Sequence, residues 1–229
     1  MSTLLLVRHG LTAMTGPVLA GRTPGVHLDE RGHKQAAAVA ERIAVLPLNA
    51  IVTSPLERCV DTAEYLLSGR DLELQVDERI IECGYGDWTG RPLKELAREP
   101  VWKVVQSQPS AARFPNGESL SEVSARAVSA VRDWNARLGE DAVWVACSHG
   151  DVIKAIVADA LGLHLDQFQR IVVDPCSVSV IRYTDQRPYV LRANDTGGDL
   201  TGFVAPKRKG RRRHAADATV GGGAGTGSV

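Results

Sequence analysis

Two short apolar runs in this chain end alike. Leu4-Leu5-Leu6-Val7 leads into Arg8-His9-Gly10, and Val143-Trp144-Val145-Ala146-Cys147 leads into Ser148-His149-Gly150. Runs of this length and aliphatic character read as buried strands. In an open parallel sheet, ligands bind outside the carboxyl ends of the strands, so the pattern predicts one sheet edge carrying a guanidinium and two imidazoles. That is a place for anion chemistry. One such ending would say little, because a histidine at a strand end is usually a packed side chain.

A third strand, Ala50-Ile51-Val52-Thr53, runs straight into Ser54-Pro55-Leu56-Glu57. Ser54 fits a helix N-cap, Pro55 the first helical position and Glu57 the reciprocal partner of a capping box. Arg58 then falls in the first turn, where exposed N–H groups and the helix dipole favour a negative ligand.

Elsewhere short aliphatic runs alternate with helical stretches, which predicts an α/β fold: a three-layer α/β/α arrangement around a mostly parallel, doubly wound sheet. A helix is expected over Glu30–Ala44 with Asp29 as its cap, and a strand over Leu72–Val76. Three glycines in Cys83-Gly84-Tyr85-Gly86-Asp87-Trp88-Thr89-Gly90 predict a shaped loop. Residues 91–116, interrupted by Pro92, Pro100, Pro109 and Pro115, read as a polar insertion over a site. A helix from Ser119 or Ser121 to about Leu138, ended by Gly139, precedes the Val143–Cys147 strand. A helix over Asp151–Leu161 and an antiparallel pair, Val178–Tyr183 and Tyr189–Ala193, close the sequence.

Composition narrows the function classes. With 229 residues, 44% hydrophobic and 24% charged, the chain is of ordinary globular composition, and 5% aromatic content argues against a stacking surface for single-stranded nucleic acid. Cys59, Cys83, Cys147 and Cys176 lie far apart and read as buried free thiols, with no metal-ligand spacing. The apolar run Leu4–Val7 is too short for a signal-peptide core, so cytoplasmic residence is expected. The formal charge of zero hides an asymmetry. Residues 207–229 hold six Lys/Arg and one acid, leaving 21 basic and 26 acidic side chains before them, a net of about −5. Any phosphate site in such a body must be a local cluster of arginines and dipoles.

From Asn194 onward the apolar periodicity fades. A catalytic domain over residues 1–204 and a basic, glycine-rich, disordered tail over 205–229 are expected. Six positive charges from Lys207 to Arg213 would attract nucleic acid without reading its sequence, a binding-module alternative that stays an accessory reading.

The ordered set Val7-Arg8-His9-Gly10, Leu28-Asp29-Glu30-Arg31-Gly32, Ser54-Pro55-Leu56-Glu57-Arg58, Gly86-Asp87-Trp88-Thr89-Gly90, Asn116-Gly117-Glu118-Ser119 and Ser148-His149-Gly150 resembles the histidine phosphatase superfamily. The likeness is to the branch of phosphoglycerate mutases and small-molecule phosphatases, and covers roughly residues 3–195. Glu82 alone would read as a solvated carboxylate and Arg58 alone as a surface ion pair; the set carries the argument.

The resemblance implies roles. His9 would attack phosphorus and carry a phosphohistidine, with nearby arginines keeping it neutral. Arg8, Arg58 and His149 would hold the transferring group, with N–H groups from Gly150 onward adding donors. Glu82, beside two isoleucines, would protonate the leaving oxygen and then activate water. Thr15 and Arg22 would touch substrate, although relatives often carry asparagine where Thr15 stands. His27, His33 and His164 show no partners and read as surface or capping residues. Trp88 either packs beneath its loop or lines a pocket.

No metal or cofactor is implied. The expected partner is a small phosphorylated substrate, with a homodimer left open and no membrane. Hydrolysis is the preferred reaction, because the segment covering the site holds only scattered Arg91, Lys94, Arg98, Lys103 and Arg113. A phosphoglycerate mutase-type transfer, which must retain a second acid group, is the alternative.

Overall fold

The computed structural model describes residues 1–198, 220, 221 and 223. Strand β1 (Ser2–Arg8) is followed by helix α1 (Glu30–Ile43), strand β2 (Ala50–Thr53), helix α2 (Glu57–Leu67) and the short strand β3 (Leu74–Val76). Helices α3 (Leu93–Leu96), α4 (Pro100–Ser107) and α5 (Leu120–Leu138), strand β4 (Val143–Ser148), helix α6 (Gly150–Ala160) and strands β5 (Val178–Tyr183) and β6 (Pro188–Asp195) complete it. The six strands form one sheet in the order β3-β2-β4-β1-β5-β6. Parallel pairing joins β3, β2, β4 and β1; β5 alone runs against its neighbours.

Because strand side chains alternate faces, β1 feeds two cores. Leu4 and Leu6 join Val52, Trp144 and Ala146 under α5 and α6, whereas Leu5 and Val7 join Ile51, Val145 and Cys147 under α1 and α2. The expected three layers follow. The four cysteines are buried and unbridged. Among the described residues, no helix is long and apolar enough to cross a membrane.

Local chemistry sets most of the boundaries. Asp29 caps α1 by accepting from Gly32 N, and Ser119 with Glu122 forms a reciprocal capping box on α5. The start of α2 differs from expectation. Its regular part begins at Glu57 with Leu56 at the cap, while Ser54 Oγ accepts from Leu56 N at 3.4 Å as a cap would and also meets an imidazole described below.

The insertion is also more regular than expected. Its prolines start elements: Pro92 stands at the cap of α3, Pro100 in the first turn of α4 and Pro109 in the first turn of a 3-10 helix. Leu96, Trp102, Val105 and Phe114 anchor the segment by burial.

Most of the expected tail, 205–229, and the expected boundary at 204 lie outside the described residues. Val220, Gly221 and Gly223 are described, and they are seated: Val220 is 1% exposed within the core beneath α5 and α6.

Candidate active site

The parallel register places Arg8 opposite Ser148, so β1 and β4 release their next residues side by side, and His9 N donates to Ser148 O at 3.0 Å. Gly10 then turns the chain against α1. A Cβ there would stand 2.7 Å from Gly32 O, and one on Gly32 would stand 2.0 Å from Leu11 O. Two glycines meeting backbone to backbone explain the Arg8-His9-Gly10 and Arg31-Gly32 pieces together. The next amide, Gly10 N, donates to Thr62 Oγ1.

His9 is buried, and its Nδ1 lies 2.7 Å from Gly10 O. A carbonyl only accepts, so Nδ1 carries the hydrogen and Nε2 keeps its lone pair. Arg58 Nε donates to that Nε2 at 3.3 Å. Burial first, then Arg58 and Arg8, hold the His9 pKa well below the usual histidine value. The ring is therefore neutral with its lone pair toward the guanidiniums.

His149 stands 5.3 Å away, centroid to centroid, in an edge arrangement. Its Nδ1 faces Arg58 Nη2 at 3.3 Å and so accepts, leaving Nε2–H to donate to Ser54 Oγ at 2.7 Å. Burial, Arg58, His9 and Arg8 push its pKa far down as well. Arg58 Nη2 also donates to Gly21 O, while the buried Nη1 has no hydrogen-bond partner among the described residues. A buried donor of that charge left unsatisfied is costly, and an anion's oxygen would satisfy it.

Glu82 enters from the segment after β3. It is 3% exposed, and its Oε1 accepts from Cys83 N. Burial, then the charge of Asp151, raises its pKa to about 7 against the pull of Arg58 and Arg8. Its backbone is clamped from outside: Arg126 of α5 donates to Arg79 O, Ile81 O and Glu82 O, and Arg22 Nε donates to Glu82 O. Glu118 accepts from both arginines and from Gly84 N.

These groups surround a cavity of about 30 Å³ lined by Arg8, His9, Arg58, Glu82, Thr12 and Thr15, with Val18, Leu19, Ala20 and Leu93 on its apolar side. Val220 and Gly221 line it too. Arg8 Nη1 donates to Val173 O at 2.8 Å and to Gly223 O at 2.7 Å, and Gly221 N donates to Asp151 Oδ2 at 3.0 Å. The remaining space suits about one or two waters. A phosphoryl group needs Val220, Gly221 and Gly223 to move aside.

The structure thus brings Arg8, His9, Arg58 and Glu82 to one cavity, with Thr15 on its wall hydrogen-bonded to Thr12, and sets His149 behind that wall against His9, Arg58 and Glu82. Two sequence expectations sit elsewhere. Arg22 does not line the cavity; its guanidinium is used on Glu82 O and Glu118. Gly150 opens α6 behind His149 without lining the cavity either. Trp88 packs beneath its loop against Trp102 and Phe114. The three outlying histidines do have partners: His27 meets Asp61, His33 meets Tyr65, and His164 caps a 3-10 helix.

Sequence reasoning missed Asp151 and Tyr85, whose Oη donates to Asp151 Oδ2 at 2.8 Å. It also missed the bond of Ser54 to His149. An acid directly after His149-Gly150 was the available signal for Asp151.

A parallel-sheet edge holding a neutral buried imidazole between guanidiniums, a second imidazole and a proton-bearing carboxyl defines a phosphoryl-transferring enzyme. Comparison with known proteins agrees. The chain belongs to the histidine phosphatase superfamily (branch 1), which it matches over residues 4–196. It is 33% identical over 202 residues to phosphoserine phosphatase 1 of Hydrogenobacter thermophilus, covering 86% of this chain and 93% of that one. A probable phosphoglycerate mutase GpmB of Cronobacter sakazakii is 32% identical, over 90% of this chain and 97% of its own. Among solved structures, a mycobacterial glucosyl-3-phosphoglycerate phosphatase superposes with a TM-score of 0.77 at 26% identity, covering 84% of this chain and 98% of that one. The protein is a phosphatase of this superfamily.

Proposed function

We propose that the enzyme hydrolyses phosphomonoesters of small metabolites through a phosphohistidine on His9. The observation that carries this is the His9 ring, fixed by Gly10 O so that its unprotonated Nε2 faces Arg58. In the first step Nε2 attacks phosphorus, the bond from phosphorus to the ester oxygen breaks, and the Glu82 carboxyl proton goes to the departing oxygen. Arg8 and Arg58 hold the non-bridging oxygens as charge redistributes, and His149, which accepts from Arg58 Nη2, sets that guanidinium in place. In the second step Glu82, now a carboxylate, takes a proton from water as that water attacks phosphorus. The P–N bond breaks, phosphate leaves and His9 regains its lone pair. A Glu82 pKa of about 7 suits both duties near neutrality.

Hydrolysis is favoured over mutase transfer by the cavity wall. Among the described residues that line it, the cations are Arg8 and Arg58, both committed to the phosphoryl site, and the remaining wall is largely apolar. A mutase must hold a second acid group.

The test supplies the purified protein with an aryl phosphate, phosphoserine and glucosyl-3-phosphoglycerate, and separately with 3-phosphoglycerate plus its bisphosphate primer. Release of inorganic phosphate, lost in His9→Ala, supports the proposal. Isomerisation of 3-phosphoglycerate without phosphate release would overturn it in favour of the mutase.

A further inference from the structure

Asp151 is the second residue of α6, directly behind His149-Gly150, and its side chain is fully buried beside the catalytic cavity. Its Oδ2 accepts from Tyr85 Oη at 2.8 Å and from Gly221 N at 3.0 Å. The other oxygen, Oδ1, has no hydrogen bond among the described residues and lies 3.5 Å from Lys154 Nζ. With Oδ1 ion-paired to Lys154, displacement of Gly221 would leave the buried Oδ2 short of one donor.

Its position decides which donor. Gly221, which lines the cavity with Arg8 and Glu82, is tied to Asp151 Oδ2, so the carboxylate stands directly behind that part of the wall. A leaving group tethered to phosphorus at Arg8 and protonated by Glu82 must pass through that space. The C-terminal segment already does so: Gly223 O accepts from Arg8 while Gly221 N donates to Asp151. An acceptor on Arg8 and a donor on Asp151 therefore fit the site together.

We propose that Asp151, oriented by Tyr85, reads a hydrogen-bond donor on the leaving group, so that the substrates are phosphomonoesters bearing an ammonium, amide or hydroxyl group near the ester oxygen and not a carboxylate. The inference rests on the phosphatase reading above. A carboxylate placed there would face Asp151 in a buried setting, where the cations of the cavity wall, Arg8 and Arg58, are engaged by the phosphoryl group. Tyr85, Lys154, Glu82, Cys83 and Arg8 are the polar or ionisable groups around Asp151, and of these only Lys154 and Arg8 are cations.

The test compares kcat/KM of the full-length protein on O-phosphoethanolamine, glycerol 1-phosphate and phosphoglycolate, with an aryl phosphate as reference, in the wild type, Asp151→Asn and Tyr85→Phe. The wild type is expected to prefer phosphoethanolamine and glycerol phosphate over phosphoglycolate. Asp151→Asn should shrink the phosphoethanolamine to phosphoglycolate ratio at least tenfold, mainly through KM. Tyr85→Phe, which keeps the carboxylate but removes the bond that orients it, should shrink the ratio in the same direction by a smaller factor. An unchanged ratio in Asp151→Asn, or a proportional loss on every ester, would leave Asp151 a structural tie between the Tyr85 loop and α6 and overturn the inference.

A measurement on the wild type alone guards against a variant that does not fold: inhibition by 2-aminoethylphosphonate against phosphonoacetate. Tighter inhibition by the amine supports the subsite, and the reverse order sinks it. These phosphonates bind without turnover, so the same order read as binding constants by titration calorimetry judges the subsite even in an enzyme that hydrolysed nothing and so failed the phosphatase reading.

Discussion

At the scale of single residues, the site works by denying protons to two imidazoles and lending one to a carboxyl. Burial and two arginines keep His9 neutral, while burial and Asp151 bring Glu82 to about 7. Turnover of alkyl phosphates, whose leaving oxygen needs a proton, should therefore fall as pH rises through about 7. Glu82→Gln should flatten that limb and slow alkyl esters about 10²- to 10⁴-fold, with a much smaller loss on aryl esters. The same shift has a stability consequence. Between about 4.5 and about 7 the folded protein holds a Glu82 proton that the unfolded chain has released, so this group's contribution to stability falls as pH rises through that window. The histidines act oppositely, since unfolding lets them take up protons below about 6.5 and stability is lost as pH falls. Denaturant midpoints should show Glu82→Gln gaining on the wild type by on the order of 3 kcal/mol more at pH 8 than at pH 5; equal gains at both would contradict a raised Glu82. The residue types were legible in the sequence because strand, histidine and glycine recur in order. Asp151 was marked only by following His149-Gly150, and its role emerges when the loop bearing Tyr85 folds onto it.

At the scale of elements, strand ends and helix starts do the positioning. Ser54 shows the limit of local reading: its hydroxyl accepts from Leu56 N as the Ser-Pro-Leu-Glu pattern suggests, but also takes the shorter bond to His149, which no local pattern announces. The prolines of the insertion misled in the other direction, since at first-turn positions they start helices as readily as they stop them. The cap of α5 is a true one, and Ser119→Ala should cost about 1 kcal/mol in an unfolding titration without altering KM. The same helix carries Arg126, whose bonds to three carbonyls hold the Glu82 segment. Arg126→Ala should slow alkyl esters about tenfold or more while sparing aryl esters, because misplacing the acid matters only where the leaving oxygen needs its proton. Proportional losses on both would reduce Arg126 to a general stabiliser.

At the scale of the whole molecule, sheet order converts distant sequence into one cavity: β1 lies between β4 and β5, so His9 and His149 become neighbours although 140 positions separate them. The fold class was readable from the alternation of strands and helices. The placement of Val220, Gly221 and Gly223 was not, because the glycine-rich stretch carries no periodicity. Gly223 O accepts from Arg8 Nη1, a donor that a phosphate oxygen would otherwise use. A chain ending at Gly198 should accordingly show a KM several-fold lower for aryl phosphates and stronger inhibition by inorganic phosphate, both read from steady-state rates. Above all these effects stands the claim that phosphorus passes through one imidazole. Rapid quenching of the enzyme with a ³²P-labelled monoester, followed by peptide mapping, tests it directly. The account predicts an acid-labile, alkali-stable label on His9 that forms faster than turnover and vanishes in His9→Ala; full turnover with the label absent, or on any other residue, would contradict it.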